Sequence, residues 1–263
     1  MSSGIKQSKA MFGMNEQATS NIDAPVRGVV IVGENPDIDT TTIPETVWEV
    51  GGVYDFPTAA SVCTIVSTDA ADTYGSGTGG WIILIEGVDE NYREQWEVVN
   101  LDGVTPVVST KSYLRVNFFR VVYSGTGMTN AGTISCTVDS KEVRHITIGE
   151  SMDHTAVYTV PLGHTFFITS NTFSVVKSAT NINASLVTHV YVPVTNTTYE
   201  SSKTGIASNG GPSGTTFQRD SRPKIPEKAD LYYDIEYVSG NNCDAAVVVR
   251  GLLVKHGYID MFI

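Results

Sequence analysis

The sequence has little leucine and is rich in β-branched and hydroxyl side chains. Of its 263 residues, 8 are Leu, 33 are Val, and 53 are Ser or Thr. Val, Ile and Thr fit the half-buried surface of a pleated sheet better than the interior of a helix. No segment combines a helical apolar period with capping residues at its ends. These features predict an all-β chain.

Basic residues and long apolar runs are also scarce. Lys and Arg number 17 against 28 Asp and Glu, which gives a formal net charge of -11. Binding to phosphates needs clustered cations, and the chain has no basic run, so we expect no nucleic-acid partner. No stretch approaches the roughly 18 apolar residues of a membrane span, and residues 1–17 lack the apolar core of a signal peptide. We therefore expect synthesis in a cytoplasm and no membrane partner.

The sequence contains only three cysteines, Cys63, Cys136 and Cys243. They are odd in number, far apart, and flanked by apolar or small residues. A disulfide framework needs an even set in a small secreted chain. We predict buried, reduced thiols at all three positions.

Residues 1–45 differ in composition from the remainder and are predicted to form an extended N-terminal arm. They are largely polar, and the segment 33–45 contains two prolines and no usable period. Within the arm, the apolar run 28–33 is suited to adding a strand to a sheet edge, either its own or that of a neighbour. Its side chains Val29, Val30, Ile31 and Val32 are candidate partner contacts.

Residues 46–263 are predicted to form one β-sandwich or jelly-roll-like body. Short apolar segments recur at roughly ten-residue spacing with turn signals between them, which is typical of these folds. The polar turns within 139–155 allow a division into two stacked halves. The Ser-, Gly- and Pro-rich segment 199–227 is predicted to be a long loop or a contact with another subunit. The predicted strands are 60–68, 81–88, 93–101, 113–125, 132–138, 143–148, 155–161, 165–176, 184–194, 231–238 and 245–254.

No motif in the chain indicates catalysis, and we predict neither enzyme activity nor a cofactor nor a metal. Residues 75–80, GSGTGG, match the dinucleotide spacing G-x-G-x-x-G but lead into a strand, whereas that site needs a helix N-terminus. We expect a glycine-rich connection there. The five histidines lack metal-ligand spacing. Paired carboxylates such as Asp37 and Asp39 are interpreted as turn caps, with a calcium site as the weaker alternative.

Aromatic residues cluster in the first half of the chain. Tyr74, Trp81, Tyr92 and Trp96 bracket one predicted hairpin, and Trp48 and Tyr54 precede it. Two interpretations remain open: core packing, or an exposed platform that stacks sugars or anchors a subunit. Under the second interpretation, Trp48, Tyr54 and Trp96 are further partner-contact candidates.

Four segments show a family resemblance: 51–57 (GGVYDFP), 72–103, 155–168 and 226–235. Their pattern resembles an uncharacterised family of virion structural proteins of tailed bacteriophages, especially those of marine bacteria, with the motifs GGxYxFP, DTxxGTG and YTVPxG. The resemblance runs from about residue 35 to the end. It departs from the family pattern at 79–80, where Ala-Arg is common, and at Val88, where Leu is more usual.

The resemblance implies a structural component of the virion. Such a protein is expected to form a symmetric homo-oligomer and to contact other virion proteins. The first hypothesis is a capsid decoration or cement protein that contacts the major capsid protein through its β-sandwich and its arm. The alternative is a neck, tail or fibre component, which acts as a connector or in host attachment. A carbohydrate-binding module is a third hypothesis, from a different functional class.

Overall fold

The computed structural model describes residues 24–176, 181–200, 204–209, 213–218 and 223–259. Strands and turns account for the fold of these residues, which contain no α-helix. The predicted all-β, sandwich-like class is therefore confirmed. The chain divides into two compact units. Unit 1 comprises Asp55–Asp153, and unit 2 comprises the described residues before and after that segment.

The strands are β1 (Val26–Ile38), β2 (Glu45–Thr46), β3 (Ser61–Ser67), β4 (Gly80–Val88), β5 (Glu94–Asn100), β6 (Val107–Tyr113), β7 (Arg115–Ser124), β8 (Ile134–Val138), β9 (Lys141–Ile146), β10 (Val157–Thr159), β11 (His164–Val176), β12 (Asn181–Val192), β13 (Thr197–Glu200), β14 (Thr204–Asn209), β15 (Ser213–Gln218), β16 (Lys224–Ile225), β17 (Asp230–Val238) and β18 (Cys243–Lys255).

Unit 1 consists of two antiparallel sheets. One has the strand order β6-β3-β8-β9 and the other β5-β4-β7. Along β4, Ile83 and Ile85 are fully buried while Ile82, Leu84 and Glu86, which alternate with them, are partly exposed, as expected of a sheet with one face in a core. Cys63 on β3 and Cys136 on β8 are also fully buried, and all three cysteines are free thiols, as predicted.

Unit 2 also consists of antiparallel sheets. In one, β1, β18, β11 and β15 follow in that order and β16 pairs with β11. In the other, the order is β10-β17-β12-β13, with β14 on β12 and β2 on β17. Consecutive strands link the two sheets. The chain passes from β11 in the first sheet to β12 in the second, and returns from β17 in the second to β18 in the first.

The segment 113–125 is predicted as one strand, but the chain changes sheet within it. Tyr113 ends β6, Arg115 begins β7, and the amide of Leu114 donates to the carbonyl of Val88 between them. Only Tyr113 of the predicted segment belongs to β6, and it fits the alternation of Arg115, Asn117 and Phe119, so the pattern contains no signal for the change of partner. The predicted strand is therefore correct in type and wrong in its continuity.

The described part of the predicted arm belongs to unit 2 and is not a separate extension. β1 pairs with β18 over its whole length, with Ile31 opposite Val249 and Val32 opposite Val248. Val29 and Ile31 point into the core and are 7% and 3% exposed. Burial of these side chains explains why the run pairs with the chain's own sheet. Residues 1–23 of the predicted arm lie outside the described residues.

The predicted loop 199–227 also needs correction, because short strands cross it. β14 pairs with β12 and β15 pairs with β11, so this segment adds a strand to each of the two sheets of unit 2. The segment is rich in Ser, Thr and Gly, which weakens the sequence signal for a strand. The hydrogen bonds to the longer strands β11 and β12 therefore determine the strand conformation, which the local sequence does not favour by itself.

The boundary between the units falls at Asp153 and His154, within the 139–155 segment whose polar turns allowed a division. A second boundary lies between Tyr54 and Asp55. Unit 1 is thus inserted between the two chain segments that build unit 2.

Candidate subunit-contact surface

The three-stranded sheet of unit 1 presents a mixed apolar face, which we call the outer face. Its side chains follow from the register of β5, β4 and β7, in which every second residue points to the same side. The rows of the outer face are Trp96, Glu86 and Phe118, then Val98, Leu84 and Arg120, then Asn100, Ile82 and Tyr123.

Large apolar side chains on this face reach solvent. Trp96, Val98 and Tyr123 are 52%, 53% and 47% exposed. Their neighbours Ile82, Leu84 and Phe118 are partly exposed, whereas Glu97 and Val99, which alternate with Trp96 and Val98, are buried. Single exposed apolar residues are common, but a contiguous group on one sheet face is typical of an interaction surface.

The outer face is balanced in charge although the chain is strongly acidic. Its two charged residues form an ion pair, in which Arg120 Nη2 lies 2.6 Å from Glu86 Oε1. The Arg120 side chain is 5% exposed and that of Glu86 is 35% exposed. Within these three rows the two charges cancel, although the chain as a whole carries a formal charge of -11.

Side-chain hydrogen bonds occupy the edges of β5 and β6 beside Trp96. The Glu97 carboxylate accepts hydrogen bonds from the amides of Thr110 and Lys111, at 2.9 and 3.0 Å, and from the Thr110 hydroxyl. Lys111 Nζ donates to the Trp96 carbonyl at 2.6 Å and lies 5.9 Å from the centroid of the indole ring. Occupied edges of this kind disfavour pairing with another strand, so the face rather than the edge is the available surface.

The pKa of Glu97 reflects the same contacts. Burial opposes ionisation of this carboxyl, but the hydrogen bonds from the Thr110 hydroxyl and from the two β6 amides outweigh it and lower the pKa. Glu97 is therefore held as a carboxylate that fixes the edge of β6.

The structure separates the other predicted contact residues from Trp96. Trp48 and Tyr54 are buried in unit 2, with their ring centroids 5.0 Å apart, and Trp48 Nε1 donates to the Gly52 carbonyl. Val29 and Ile31 are buried in the same unit, so these four side chains serve its core. The remaining members of the run, Val30 and Val32, are partly exposed.

The predicted aromatic platform is divided in the same way. Tyr74 and Trp81 pack edge to face with their centroids 6.1 Å apart, and Trp81 Nε1 donates to the Gly77 carbonyl. Glu86 is the cross-strand partner of Trp96 and lies five residues from Trp81 on β4. Five residues of a strand span about 17 Å. The residues of this hairpin therefore do not form one continuous stacking surface.

The glycine-rich segment 75–80 is a turn held by a buried carboxylate. Asp72 accepts hydrogen bonds from the Ser67 hydroxyl and from the amides of Gly80, Ala131 and Gly132, at 2.5, 2.5, 2.8 and 2.9 Å respectively. A Cβ atom at Gly79 would lie 2.1 Å from Asp72 Oδ1. The glycines thus permit close approach of this carboxylate, and the chain continues into strand β4 as expected. The match to a dinucleotide motif is coincidental, since no helix begins there.

The carboxylates Asp89 and Asp39 are both bound to backbone amides in turns. Asp89 Oδ1 caps its own turn by accepting from the amides of Asn91 and Arg93, whereas Asp39 Oδ1 accepts from the amide of Asn242, 203 positions away. Among the described residues no group of three or more His, Cys, Asp or Glu side chains is arranged to hold a metal ion. None of the described residues forms a helix that could cross a membrane.

Comparisons with known proteins give no assignment. No protein-family model matches the chain, and no curated protein matches it. Among solved structures, the VP2 subviral particle of infectious bursal disease virus aligns with a TM-score of 0.24 and 9% identity over 94% of this chain and 78% of that chain. The structure of the infectious bursal disease virus Gt strain aligns with a TM-score of 0.14 and 10% identity over 93% of this chain and 86% of that chain. Likeness of this degree supports no conclusion about fold or function.

Proposed function

We propose that this protein is a structural component of a tailed bacteriophage virion, and that it decorates the capsid. The proposal rests on the resemblance to phage virion proteins in motifs at 51–57, 72–103 and 155–168. The outer face of unit 1 is the observation that gives it a physical basis. The predicted homo-oligomer would then follow the symmetry of the particle.

The partner of the outer face is proposed to be the major capsid protein. A second copy of this chain would bring two bodies of formal charge -11 together, which opposes direct self-association. A partner that offers a neutral apolar patch has no such repulsion to overcome, because the one ion pair of the face is already satisfied within it. Exposed Trp and Tyr are the residue types that most often dominate such contacts.

The location of the protein in the particle tests the proposal. Gel densitometry and cryo-electron microscopy of purified particles would measure copy number and position together. Copies on the order of hundreds over the shell are expected for a decoration protein. About six or twelve copies at one vertex would instead support the alternative, a neck or tail component.

A paired substitution tests the role of the outer face. Trp96→Gln with Val98→Thr should leave folding intact, because both side chains are about half exposed, and should reduce incorporation into particles at least about tenfold. The matched control is Val62→Thr with Ile148→Thr, which changes two exposed apolar side chains elsewhere in unit 1. Equal incorporation of the two double variants would remove the outer face from the proposal.

The carbohydrate-binding hypothesis predicts a different result for the same variants. Binding to host surface polysaccharide that disappears in the Trp96→Gln variant, with incorporation unchanged, would favour a glycan-binding function over decoration.

Deletion of residues 1–23 tests the remaining part of the predicted arm. We expect lower incorporation into particles, with the thermal unfolding of both units preserved.

A further inference from the structure

The first sheet of unit 2 has a face opposite its core side, which we call the bipolar face. Val29, Ile31, Val247, Val249 and Phe173 are buried on the core side. The residues that alternate with them along β1, β18 and β11 are exposed or partly exposed on the other side. In order along the strands, the rows of the bipolar face are Asp244 and Val176, then Glu34, Ala246 and Ser174, then Val32, Val248 and Thr172, then Val30, Arg250 and Ser170, then Gly28 and Leu252.

Opposite charges lie at opposite ends of the bipolar face. Glu34 and Asp244 are exposed near one end, and Arg250 is exposed near the other. Lys224 on β16, also exposed, adds a second cation to the basic end, because it shares with Leu252 the cross-strand partner Phe167. The rows between the two ends carry Val, Ala, Ser and Thr side chains without charge.

The opposite charges do not meet within one copy. Glu34 lies four residues along β1 from Val30, the cross-strand partner of Arg250. Four residues of a strand span about 13 Å, which is beyond the reach of an ion pair. The Glu34 side chain is 50% exposed, and its Oε2 atom lies 3.9 Å from His154 Nδ1. The carboxylate therefore remains accessible to a cation from another molecule.

We propose that the bipolar faces of two copies pack on each other in a two-fold symmetric dimer. The axis runs across the strands, over the row that contains Val32 and Val248. A half-turn about this axis superposes the basic end of one copy on the acidic end of the other. Arg250 then faces the row of Glu34 of the second copy, one strand to the side, and symmetry forms the same contact twice.

The size and shape of the bipolar face suit this packing. Sheets that pack face to face lie about 10 Å apart, and the small side chains of the central rows permit that approach. β1, β18 and β11 are each 13 residues long. Three such strands cover about 14 Å by 43 Å, or about 600 Å² per copy. The total of about 1,200 Å² falls in the range of specific protein interfaces.

Charge selects a second copy as the occupant of the bipolar face. The formal charge of -11 on each copy opposes self-association. On the outer face of unit 1 nothing offsets this repulsion, because its two charges are paired within one copy. On the bipolar face the antiparallel arrangement places cations over carboxylates and offsets it locally. The inference rests on the proposed function for its expectation of a homo-oligomer, but it is tested on purified protein without particles.

Sedimentation velocity of the purified full-length protein tests the dimer, from about 1 μM to about 1 mM at about 0.15 M ionic strength. The wild type should dimerise over this range. Arg250→Glu should raise the dimer Kd at least about tenfold, because it places acid against acid. The matched control is Arg93→Glu, which makes the same change of charge at an exposed position of unit 1 and should raise the Kd much less.

A charge exchange tests the predicted alignment of the two copies. Glu34→Arg alone should also weaken the dimer, whereas Arg250→Glu combined with Glu34→Arg should restore it, because the pair reforms between copies with its charges exchanged. Thermal unfolding of each variant checks that the fold is unchanged. Repair within one copy cannot explain such a rescue, since the two positions are about 13 Å apart along the strands.

Three results would overturn the proposal: a wild type that stays monomeric over the whole range, a dimer that Arg250→Glu leaves intact, or two weakened single variants without rescue in the combination. The proposed function has its own test, which is the copy number and position in particles. A dimer rescued by charge exchange, together with about six or twelve copies at one vertex, would support this interface while contradicting capsid decoration.

Discussion

The two units bury charged side chains in opposite ways. In unit 1, Arg144 is fully buried, donates from Nε to the Val116 carbonyl at 2.8 Å, and places Nη1 3.1 Å from Asp153 Oδ2. The other Asp153 oxygen accepts from the Phe119 amide at 2.9 Å. In unit 2, the corresponding contact between His189 and Asp234 is 3.3 Å long and lacks hydrogen-bond geometry.

The difference between the two contacts is one of hydrogen-bond geometry. The Arg144–Asp153 pair joins the segment after β9 to β7, and each of its members is also bound to backbone. The His189–Asp234 contact lacks that geometry. The same kind of pairing is therefore fixed by hydrogen bonds in unit 1 but not in unit 2.

The largest effect is expected from Arg144→Met, which would break the buried pair. Loss of the guanidinium leaves the Asp153 carboxylate buried without this cation and should reduce the free energy of unfolding by about 3–5 kcal/mol. Urea unfolding measures this change. Lys141→Met removes the partner of Asp55, whose side chain is 73% exposed, and should change stability by about 0.5 kcal/mol or less. Similar values for the two variants would show that burial does not distinguish these pairs.

Asp72→Asn should give the next largest effect and extends the comparison to a carboxylate that has no cation. The side-chain NH2 group of the asparagine would face two of the four donors that now bind Asp72. We expect the free energy of unfolding to fall by about 2–4 kcal/mol. Asp69→Asn is the control, because Asp69 accepts one backbone hydrogen bond in an exposed turn. A loss of less than about 1 kcal/mol in Asp72→Asn would contradict the assigned role of this carboxylate as the anchor of the glycine turn.

Glu97→Gln should have a smaller effect, and this effect should depend on pH because the pKa of Glu97 is lowered. The pKa of Glu97 is lowered in the folded protein, so its contribution is present above the carboxyl's unfolded pKa and is lost as pH falls through the folded value. We expect a loss of about 1 kcal/mol at neutral pH that disappears in acid. Thermal unfolding at several acidic pH values would measure it, and a constant difference at all pH values would contradict this assignment.

Asp234→Asn should have the smallest effect on global stability and sharpens the comparison most directly. Burial raises the pKa of Asp234, so its carboxylate form is unfavourable in the folded protein, and at mildly basic pH the variant should be as stable as the wild type or more stable, within about 1 kcal/mol. As pH falls through the raised pKa of Asp234, the wild type should gain stability relative to the variant. An unfolding difference that does not change with pH would contradict this assignment.

The sequence predicts the regular strands of both units because their apolar residues alternate. Strands β4 and β11 lie within one residue of their predicted bounds, since each has one face in a core. The strands β13 to β16 are missed because Ser, Thr and Gly give no alternation, and their pairing with β11 and β12 decides their conformation. Trp96 was identified as a contact candidate from its residue type, but its exposure depends on the alternation of β5 at a sheet edge.

The buried charges could not be located from the sequence. Asp72 meets the amide of Gly132 60 positions away, and Arg144 lies beside the carbonyl of Val116 on another sheet. His189 lies 45 residues from Asp234 in the chain. No local spacing connects the members of these sets, because the fold brings them together. The absence of a motif in such a chain therefore says little about where its buried charge lies.

The insertion of unit 1 within unit 2 has a consequence for the order in which the protein folds during synthesis. All strands of unit 1 are synthesised before β10, and their strand partners lie within Asp55–Asp153. β1 must wait through residues 39–242 before β18 emerges to pair with it. Until then its apolar run has no partner in its own sheet, and an unpaired strand edge is prone to association with other chains. Unit 2, which is encoded first, is the unit that finishes folding last.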